Sequence, residues 1–308
     1  MPTYIYNAIH VKADNERPSK RVWRDFKIIV SRWRDLGVIC QPLPPPGTDV
    51  KLVGLLKQFA LGMVFIWAVI LALLAKVCSH KWSALATLHR LKGTNRRVSI
   101  EGLHGKHAYK DEAWIFINGV GTDRASLELI LKALNRLFGR KVEGLHNVTL
   151  GMPYDLATCF LERDMLLMTP ILDDLRKAVI KHVGNPQKKR VVLIAHSQGA
   201  ILLSLLVDIL LHSNLDPKSL SKIALYTLGG AADHFGISNS DNNGGLCGFG
   251  NIEHICNERD FVAQLGVLAS SGVYSHFPPS SLFTDAVGRY CGKIFVREAV
   301  TGHLPVFH

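Results

Sequence analysis

The sequence has few cysteines, and their positions exclude a disulfide-stapled scaffold and a cysteine-rich metal domain. Six cysteines occur among 308 residues, and no two are spaced Cys-x-x-Cys. Their spacing indicates no metal site, and a chain of this length can bury a large core without a disulfide framework. We therefore expect free, mostly buried thiols in a reducing compartment.

The C-terminal two thirds of the sequence lack an excess of charge of either sign. Residues 111–308 contain 18 Lys/Arg and 19 Asp/Glu, whereas residues 1–110 contain 18 and 6, so the net charge of +11 arises in the N-terminal third. A basic patch can bind nucleic acid. Because this one flanks a long apolar segment, we expect anionic lipid headgroups as its partner and no nucleic acid.

The long apolar segment contains seventeen consecutive residues without a charge, at positions 59–75. A bilayer core needs about 20 apolar residues, with a range of roughly 17 to 25. We expect a transmembrane or membrane-embedded helix within residues 51–80, and a buried helix is the alternative. More Lys and Arg follow the segment closely than precede it closely, which predicts that the following residues face the cytosol.

The residues before this segment are polar and basic. Residues 1–20 are expected to be loosely ordered, and a proline-rich linker occupies residues 41–47. Between them, residues 21–39 predict an amphipathic basic helix that lies on a membrane surface or packs against another part of the protein. Its apolar residues alternate at spacings of four and three, at Val22, Phe26, Ile29, Trp33 and Leu36.

Strand and helix signals alternate from residue 111 onwards, as in a doubly wound, mostly parallel α/β sheet. Residues 236–250 are rich in Gly, Ser and Asn and predict a flexible insertion. Short β-branched or aromatic runs predict strands, and periodic apolar runs predict helices, the first of them capped by Asp123. The predicted strands are 113–118, 143–149, 191–194, 223–228, 252–256 and 293–296, and the predicted helices are 124–138, 168–182 and 200–211.

Residues 190–206 contain the strongest functional signal. A β-branched run leads into Ala195-His196-Ser197-Gln198-Gly199, and an apolar helical run follows. This is the strand–turn–helix pattern of a nucleophile elbow, with Ala195 in place of the first glycine. Positions two before and two after the serine must be small, since larger side chains would meet the neighbouring strand and helix. An ordinary turn in a βα unit is the alternative.

The predicted turn exposes the Ser197 hydroxyl and places the Gln198 backbone N–H at a helix N-terminus, where it can bind an oxyanion. A second donor is expected from Gly119 and Val120, because glycines after the strand 113–118 let the backbone approach a bound ester. A plain glycine turn is the alternative. No motif requires a metal or an organic cofactor, and we expect neither.

A serine nucleophile needs a base, and the base needs an orienting carboxylate, which in this fold follow in the order Ser, acid, His. Asp260 follows a late strand and is preferred as the acid to Glu258 because its side chain is shorter. His303 follows the last predicted strand and is preferred as the base to His276 and His308.

Several motifs of residues 110–308, taken together, resemble a group of lipase-like α/β-hydrolases found widely in fungi. The resemblance implies an α/β-hydrolase fold and a serine esterase with the triad Ser197, Asp260 and His303. Relatives continue beyond the last histidines, whereas this chain ends at His308. The matching motifs lie at residues 116–119, 146–151, 155, 162–164, 195–199, 227–235, 260–262 and 302–304.

The leading hypothesis is a membrane-associated serine hydrolase that cleaves a carboxylic ester, with a lipid ester as the preferred substrate. One alternative is a catalytically inactive, membrane-anchored interaction protein, which the short C-terminus motivates, and another is an acyltransferase with the same triad. The expected organisation is a basic N-terminal region (1–50), a membrane helix (51–80), a basic linker (81–110) and an α/β-hydrolase domain (111–308).

Overall fold

The computed structural model describes residues 3–8, 18–31, 97–100, 109–148, 152–236, 248–271 and 289–301. The strands are β1 Thr3–Ala8, β2 Arg97–Ile100, β3 Glu112–Ile117, β4 Val142–Leu145, β5 Arg190–His196, β6 Ile223–Leu228, β7 Asn251–Arg259 and β8 Gly292–Thr301. The helices are α1 Pro18–Ser31, α2 Arg124–Phe138, α3 Met152–Asp164, α4 Pro170–Val183, α5 Gly199–Leu211, α6 Pro217–Ser221, α7 Phe261–Leu265 and α8 Val267–Ser271.

The eight strands form a single sheet in the order β1-β8-β7-β6-β5-β3-β4-β2. The six inner strands are parallel to one another, and β1 and β2 pair antiparallel with the two outer members of this set. The α/β class and the mostly parallel sheet predicted from the sequence are therefore confirmed. The sheet also includes two strands from stretches that the sequence analysis placed outside the domain of residues 111–308.

Helices cover both faces of the sheet because its central strands are apolar on both sides. Alternate residues of β5 point in opposite directions, so that Leu193 packs with α4 and α5 in one core, whereas Val192 packs with α2 in the other. Asp123 caps α2 as predicted, since its carboxylate accepts a hydrogen bond of 2.7 Å from the Ser126 backbone N–H. The two cores hold β5 rigidly and thereby fix the turn that follows it.

Three local predictions differ from the structure. Residues 1–20 were expected to be loosely ordered, but Thr3–Ala8 is a strand, because β8 offers it a free edge. The strand predicted over 143–149 is β4, Val142–Leu145, and residues 146–148 lie outside any strand. Helix α3, Met152–Asp164, was not predicted, and its weak amphipathic pattern is the reason.

Helix α1 packs against α3 and α7, which fits the packing alternative for this segment, but it does so with its charged face. Arg21, Arg24 and Asp25 are buried, whereas Trp23 and Phe26 are exposed. The amphipathic pattern did not indicate which face of α1 packs against the protein. The charged residues face inwards because oppositely charged partners of the domain lie beneath them.

The membrane helix predicted within residues 51–80 lies outside the described residues. Where the structure describes the chain, no helix combines the length and the apolarity that a membrane crossing needs.

Candidate active site

Ser197 forms the turn between β5 and α5, with a backbone conformation that few non-glycine residues adopt. Its φ is 55°, in the left-handed region that the nucleophile-elbow pattern predicts. Its N–H donates to the Leu228 carbonyl at 3.0 Å, and its carbonyl accepts from the N–H groups of Ala200 and Ala231 at 3.0 and 3.2 Å. These three backbone hydrogen bonds hold the residue in its strained conformation.

Two glycines pack so closely around this turn that a side chain would not fit at either of them. A Cβ on Gly119 would lie 2.6 Å from the Cβ and 3.2 Å from the Oγ of Ser197. A Cβ on Gly199 would lie 2.5 Å from the carbonyl oxygen of Ile117, at the end of β3. The small residue at position 199 therefore has a direct steric cause, and Gly119 is brought beside the candidate nucleophile.

The backbone N–H groups around Ser197 differ in their availability for an oxyanion. Gln198 has helical backbone angles at the start of α5, and among the described residues its N–H has no hydrogen-bond acceptor. The N–H of Gly121 donates to the Asp155 carboxylate at 3.0 Å and is therefore engaged. The second predicted donor remains in the Gly119–Val120 region, next to the serine.

A row of buried polar side chains lies beside the turn and was not recognised from the sequence as a connected unit. The Gln198 side chain accepts from Asn147 Nδ2 at 2.8 Å and donates from Nε2 to Glu162 at 2.9 Å. The second Glu162 oxygen accepts from the Thr169 hydroxyl at 2.8 Å. The four side chains are at most 6% exposed, so these hydrogen bonds are shielded from water.

Asn118 extends this row to the opposite side of the turn. Its Oδ1 accepts from the Asn147 backbone N–H at 2.8 Å, and its Nδ2 donates to the carbonyls of Asn147 and Gly119 at 3.0 and 2.9 Å. The Asn147 Nδ2 atom, to which a glycan would be attached in the sequon Asn147-Val148-Thr149, is buried in these contacts. The asparagine of this sequon therefore has a structural role.

Asp260, the predicted acid, is fully buried at the end of β7, on the same edge of the sheet as Ser197. It caps α7, and its Oδ1 accepts from the Val262 backbone N–H at 2.9 Å. Glu258, the alternative acid, lies within β7 and is half-buried. In the β7–β8 register, Arg259 pairs with Thr301, so β8 ends beside the residue that precedes Asp260.

The three histidines considered as the base, His276, His303 and His308, lie outside the described residues. The structure therefore brings together Ser197, Gln198 and Gly119, and it places Asp260 at the same sheet edge.

A different histidine, His254 of β7, is fully buried, and burial lowers its pKa to about 4. Its two ring nitrogens lie 2.7 Å from the Thr227 hydroxyl and 3.0 Å from the Cys291 carbonyl, which is a structural role.

A second buried cluster, centred on Asp233 and His234, was missed from the sequence. The His234 ring nitrogens lie 2.8 Å from Asp233 and 2.7 Å from Asp208. Although burial lowers the pKa of His234, the hydrogen bonds and charges of the two carboxylates raise it to about 10. Asp233 also pairs with Arg24 and Arg289, each at 3.4 Å. The nearby motif 227–235 was matched in the sequence without a role for either residue.

Helix α1 supplies part of this cluster of charges. Asp25 forms an ion pair with Arg163 of α3, and Arg163 also donates to the Leu265 carbonyl of α7 at 2.6 Å. Burial raises the pKa of the neighbouring Asp164 to about 6, although the Arg163 charge acts in the opposite direction. The cluster joins α1 and α3 to the loop after β6.

Cys159, Cys256 and Cys291 form no disulfide among the described residues, and the last two are buried, as predicted for the thiols of this chain. Burial raises the pKa of the Cys256 thiol, which keeps it protonated.

A cavity of about 380 Å³ opens between Glu112, Arg190 and Lys222. Because these residues begin or directly precede β3, β5 and β6, the cavity lies at the sheet edge opposite to Ser197 and is not the candidate active site.

No protein-family model matches the chain, and no curated protein matches it. Among solved structures, the chain is similar to a Trichoderma reesei cutinase in complex with a C11Y4 phosphonate inhibitor, with a TM-score of 0.30 and 16% identity over 51% of this chain and 68% of that one. It is also similar to a novel cutinase-like protein from Cryptococcus sp., with a TM-score of 0.27 and 13% identity over 59% and 76% of the two chains. Because both TM-scores are low, the function is inferred from the geometry around Ser197 instead.

Proposed function

We propose that this protein is a serine hydrolase of the α/β-hydrolase type that cleaves a carboxylic ester. The observation that carries the proposal is the strained Ser197, held in the left-handed region at a strand–helix turn with Gly119 packed against its side chain. An ordinary turn would place a glycine at such a position. A serine that is kept there in spite of the strain indicates a use for its hydroxyl.

In the proposed reaction, Ser197 attacks the ester carbonyl while His303 removes its proton and donates it to the leaving alcohol. Water, deprotonated by His303, then attacks the acyl-serine, and the acid is released as the proton returns to Ser197. Asp260 orients the imidazole and stabilises its charge. The Gln198 N–H and a donor from Gly119–Val120 stabilise the oxyanion. The pairing of Arg259 with Thr301 supports this triad, since Asp260 follows Arg259 and His303 is two residues after Thr301 in the chain.

Fluorophosphonate labelling of the membrane fraction tests this proposal. Wild type should be labelled, Ser197→Ala should not, and His303→Ala should be labelled at least about 100-fold more slowly, as removal of a general base predicts. His276→Ala and His308→Ala are matched controls for the choice of base. If folded wild type is not labelled, the hydrolase is refuted and an inactive interaction protein becomes the better description.

We propose further that the ester belongs to a lipid and that the protein binds anionic membranes. Helix α1 exposes Trp23, Phe26 and Val30 to 57%, 44% and 54%. The Lys27 ammonium lies 5.5 Å from the centre of the Trp23 ring, so positive charge accompanies the aromatic surface. Aromatic, aliphatic and lysine side chains on one helix face suit the interface of an anionic bilayer.

The position of α1 also supports a membrane-bound substrate. The helix contacts α7, which starts directly after Asp260, so α1 lies against a helix that the candidate acid caps. The apolar run of residues 59–75 would add a second membrane contact. Cys159, Cys256 and Cys291 form no disulfide among the described residues, which supports a domain that faces the cytosol.

Hydrolysis of a long-chain ester in anionic vesicles, compared with a short soluble ester, tests the lipid proposal. The double variant Trp23→Ser/Phe26→Ser should lose most of the vesicle activity and keep the soluble activity. Leu129→Ser/Leu137→Ser is the matched control, because these residues of α2 are 66% and 69% exposed. Equal vesicle activity of the two double variants, or a preference of wild type for the soluble ester, would overturn it.

A further inference from the structure

Gln198 has two separate tasks in the candidate site. Its backbone N–H is the proposed oxyanion donor, while its side chain, 1% exposed, lies in the buried row beside the turn. Glu162, fully buried on α3, receives hydrogen bonds from Gln198 Nε2 at 2.9 Å and from the Thr169 hydroxyl at 2.8 Å. The side chain that fixes Gln198 therefore comes from a helix outside the strand–turn–helix unit.

The chemistry of Glu162 sets the direction of the hydrogen bonds in the row. Both Glu162 oxygens accept hydrogen bonds in the row, so the Gln198 amide turns its NH₂ towards Glu162 and its oxygen towards Asn147. The Asn147 NH₂ then has its acceptor at 2.8 Å. A neutral amide alone has no such preference, because its two ends are nearly equal in shape.

The row continues from Asn147 to the second side of the proposed oxyanion hole. The Asn147 backbone N–H and carbonyl both bind the Asn118 side chain, whose Nδ2 also binds the Gly119 carbonyl. The loop that contains Gly119 and the turn that contains Gln198 are thus joined by buried hydrogen bonds. Their relative position depends on this row as well as on the sheet.

We infer that Glu162 is a positioning residue, which acts through Gln198 and sets the distance between the two oxyanion donors. This inference rests on the proposed hydrolase function. Displacement of a group by about 1 Å can reduce a rate by about 100-fold, and loss of one oxyanion donor costs about 10²- to 10³-fold in kcat. Loss of the contact between Glu162 and Gln198 should therefore lower kcat and leave KM almost unchanged.

Exchange of the two side chains tests the inference. Gln198→Glu alone places a second buried carboxylate directly against Glu162. It should lower kcat by at least about 100-fold, the effect of a misplaced donor. In the double variant Glu162→Gln/Gln198→Glu, the new Gln donates to the new carboxylate and accepts from Thr169, while Asn147 still has its acceptor. We expect at least a tenfold recovery of kcat relative to the single variant.

Gln198→Met is the second variant, because it keeps the backbone N–H and the side-chain length without introducing a charge. Its kcat should fall at least tenfold at unchanged KM, with a folded state confirmed by circular dichroism. Glu128→Gln, on α2, is the control. Wild-type kcat in Gln198→Met, or a double variant no more active than folded Gln198→Glu, would overturn the role of Glu162. Inactive wild type would instead refute the hydrolase itself.

Discussion

Ser197 combines a left-handed φ of 55° with the side chain that the proposed reaction requires. A glycine would adopt this φ without strain, so Ser197→Gly should raise the free energy of unfolding by about 1 kcal/mol while it abolishes labelling. Ser197→Ala also removes the hydroxyl but keeps the strain, and we expect no such gain. Thermal unfolding of the two inactive variants measures the difference, and equal midpoints would contradict the strain.

His234 should make the stability of the protein depend on pH. Its pKa is about 10 in the folded state, above the ordinary value of 6.5. Its protonated form therefore contributes full stability below about pH 6.5, and the contribution is lost as the pH rises towards 10. Denaturant unfolding of wild type and His234→Gln should show a difference, on the order of a few kcal/mol at low pH, that shrinks over this range. A constant difference would contradict this.

The residues of the turn could be predicted from the sequence because their requirements are local. Ser197, Gln198 and Gly199 are consecutive, and the apolar runs on both sides identify the strand and the helix. The partners of Gln198 could not be predicted in the same way. Asn147 and Glu162 are 51 and 36 residues earlier in the chain, and no spacing rule connects them before the sheet is assembled.

Among the elements, α1 depends most on buried charge for its position. Asp25 pairs with Arg163 beneath the helix. Asp25→Ala would leave a buried guanidinium without this partner and should cost about 3–5 kcal/mol of stability. Asp173→Ala on α4 is the control, because its pairs with Lys177 and Arg176 are exposed and should contribute about 0–1 kcal/mol. Similar unfolding midpoints for the two variants would contradict the role of the buried pair.

The elements differ in how far the sequence predicts them, and the reason is the range of their interactions. Strand β6, Ile223–Leu228, was predicted with the observed boundaries because its β-branched and aromatic pattern is local. The packed face of α1 was not, because Arg24 meets Asp233 across 209 residues. Apolar periodicity predicts that a helix is amphipathic, but it does not show that a charged face has buried partners.

At the scale of the whole molecule, β1 completes the sheet by pairing with β8 along six residues. Deletion of residues 1–8 would leave β8 as an unpaired edge strand, which favours association with other chains. We expect a lower unfolding midpoint and light scattering that grows with protein concentration. A deletion variant that stays monomeric with the wild-type midpoint would show that β1 does not protect this edge.

The pairing of β1 with β8 also sets the order of events on the ribosome. The two strands are separated by about 290 residues, so β8 is synthesised well after β1. At about 5–20 residues per second, β1 waits roughly 15 to 60 s for β8. During this time its backbone is open to chaperones, and the sheet becomes complete only after β8 has been synthesised.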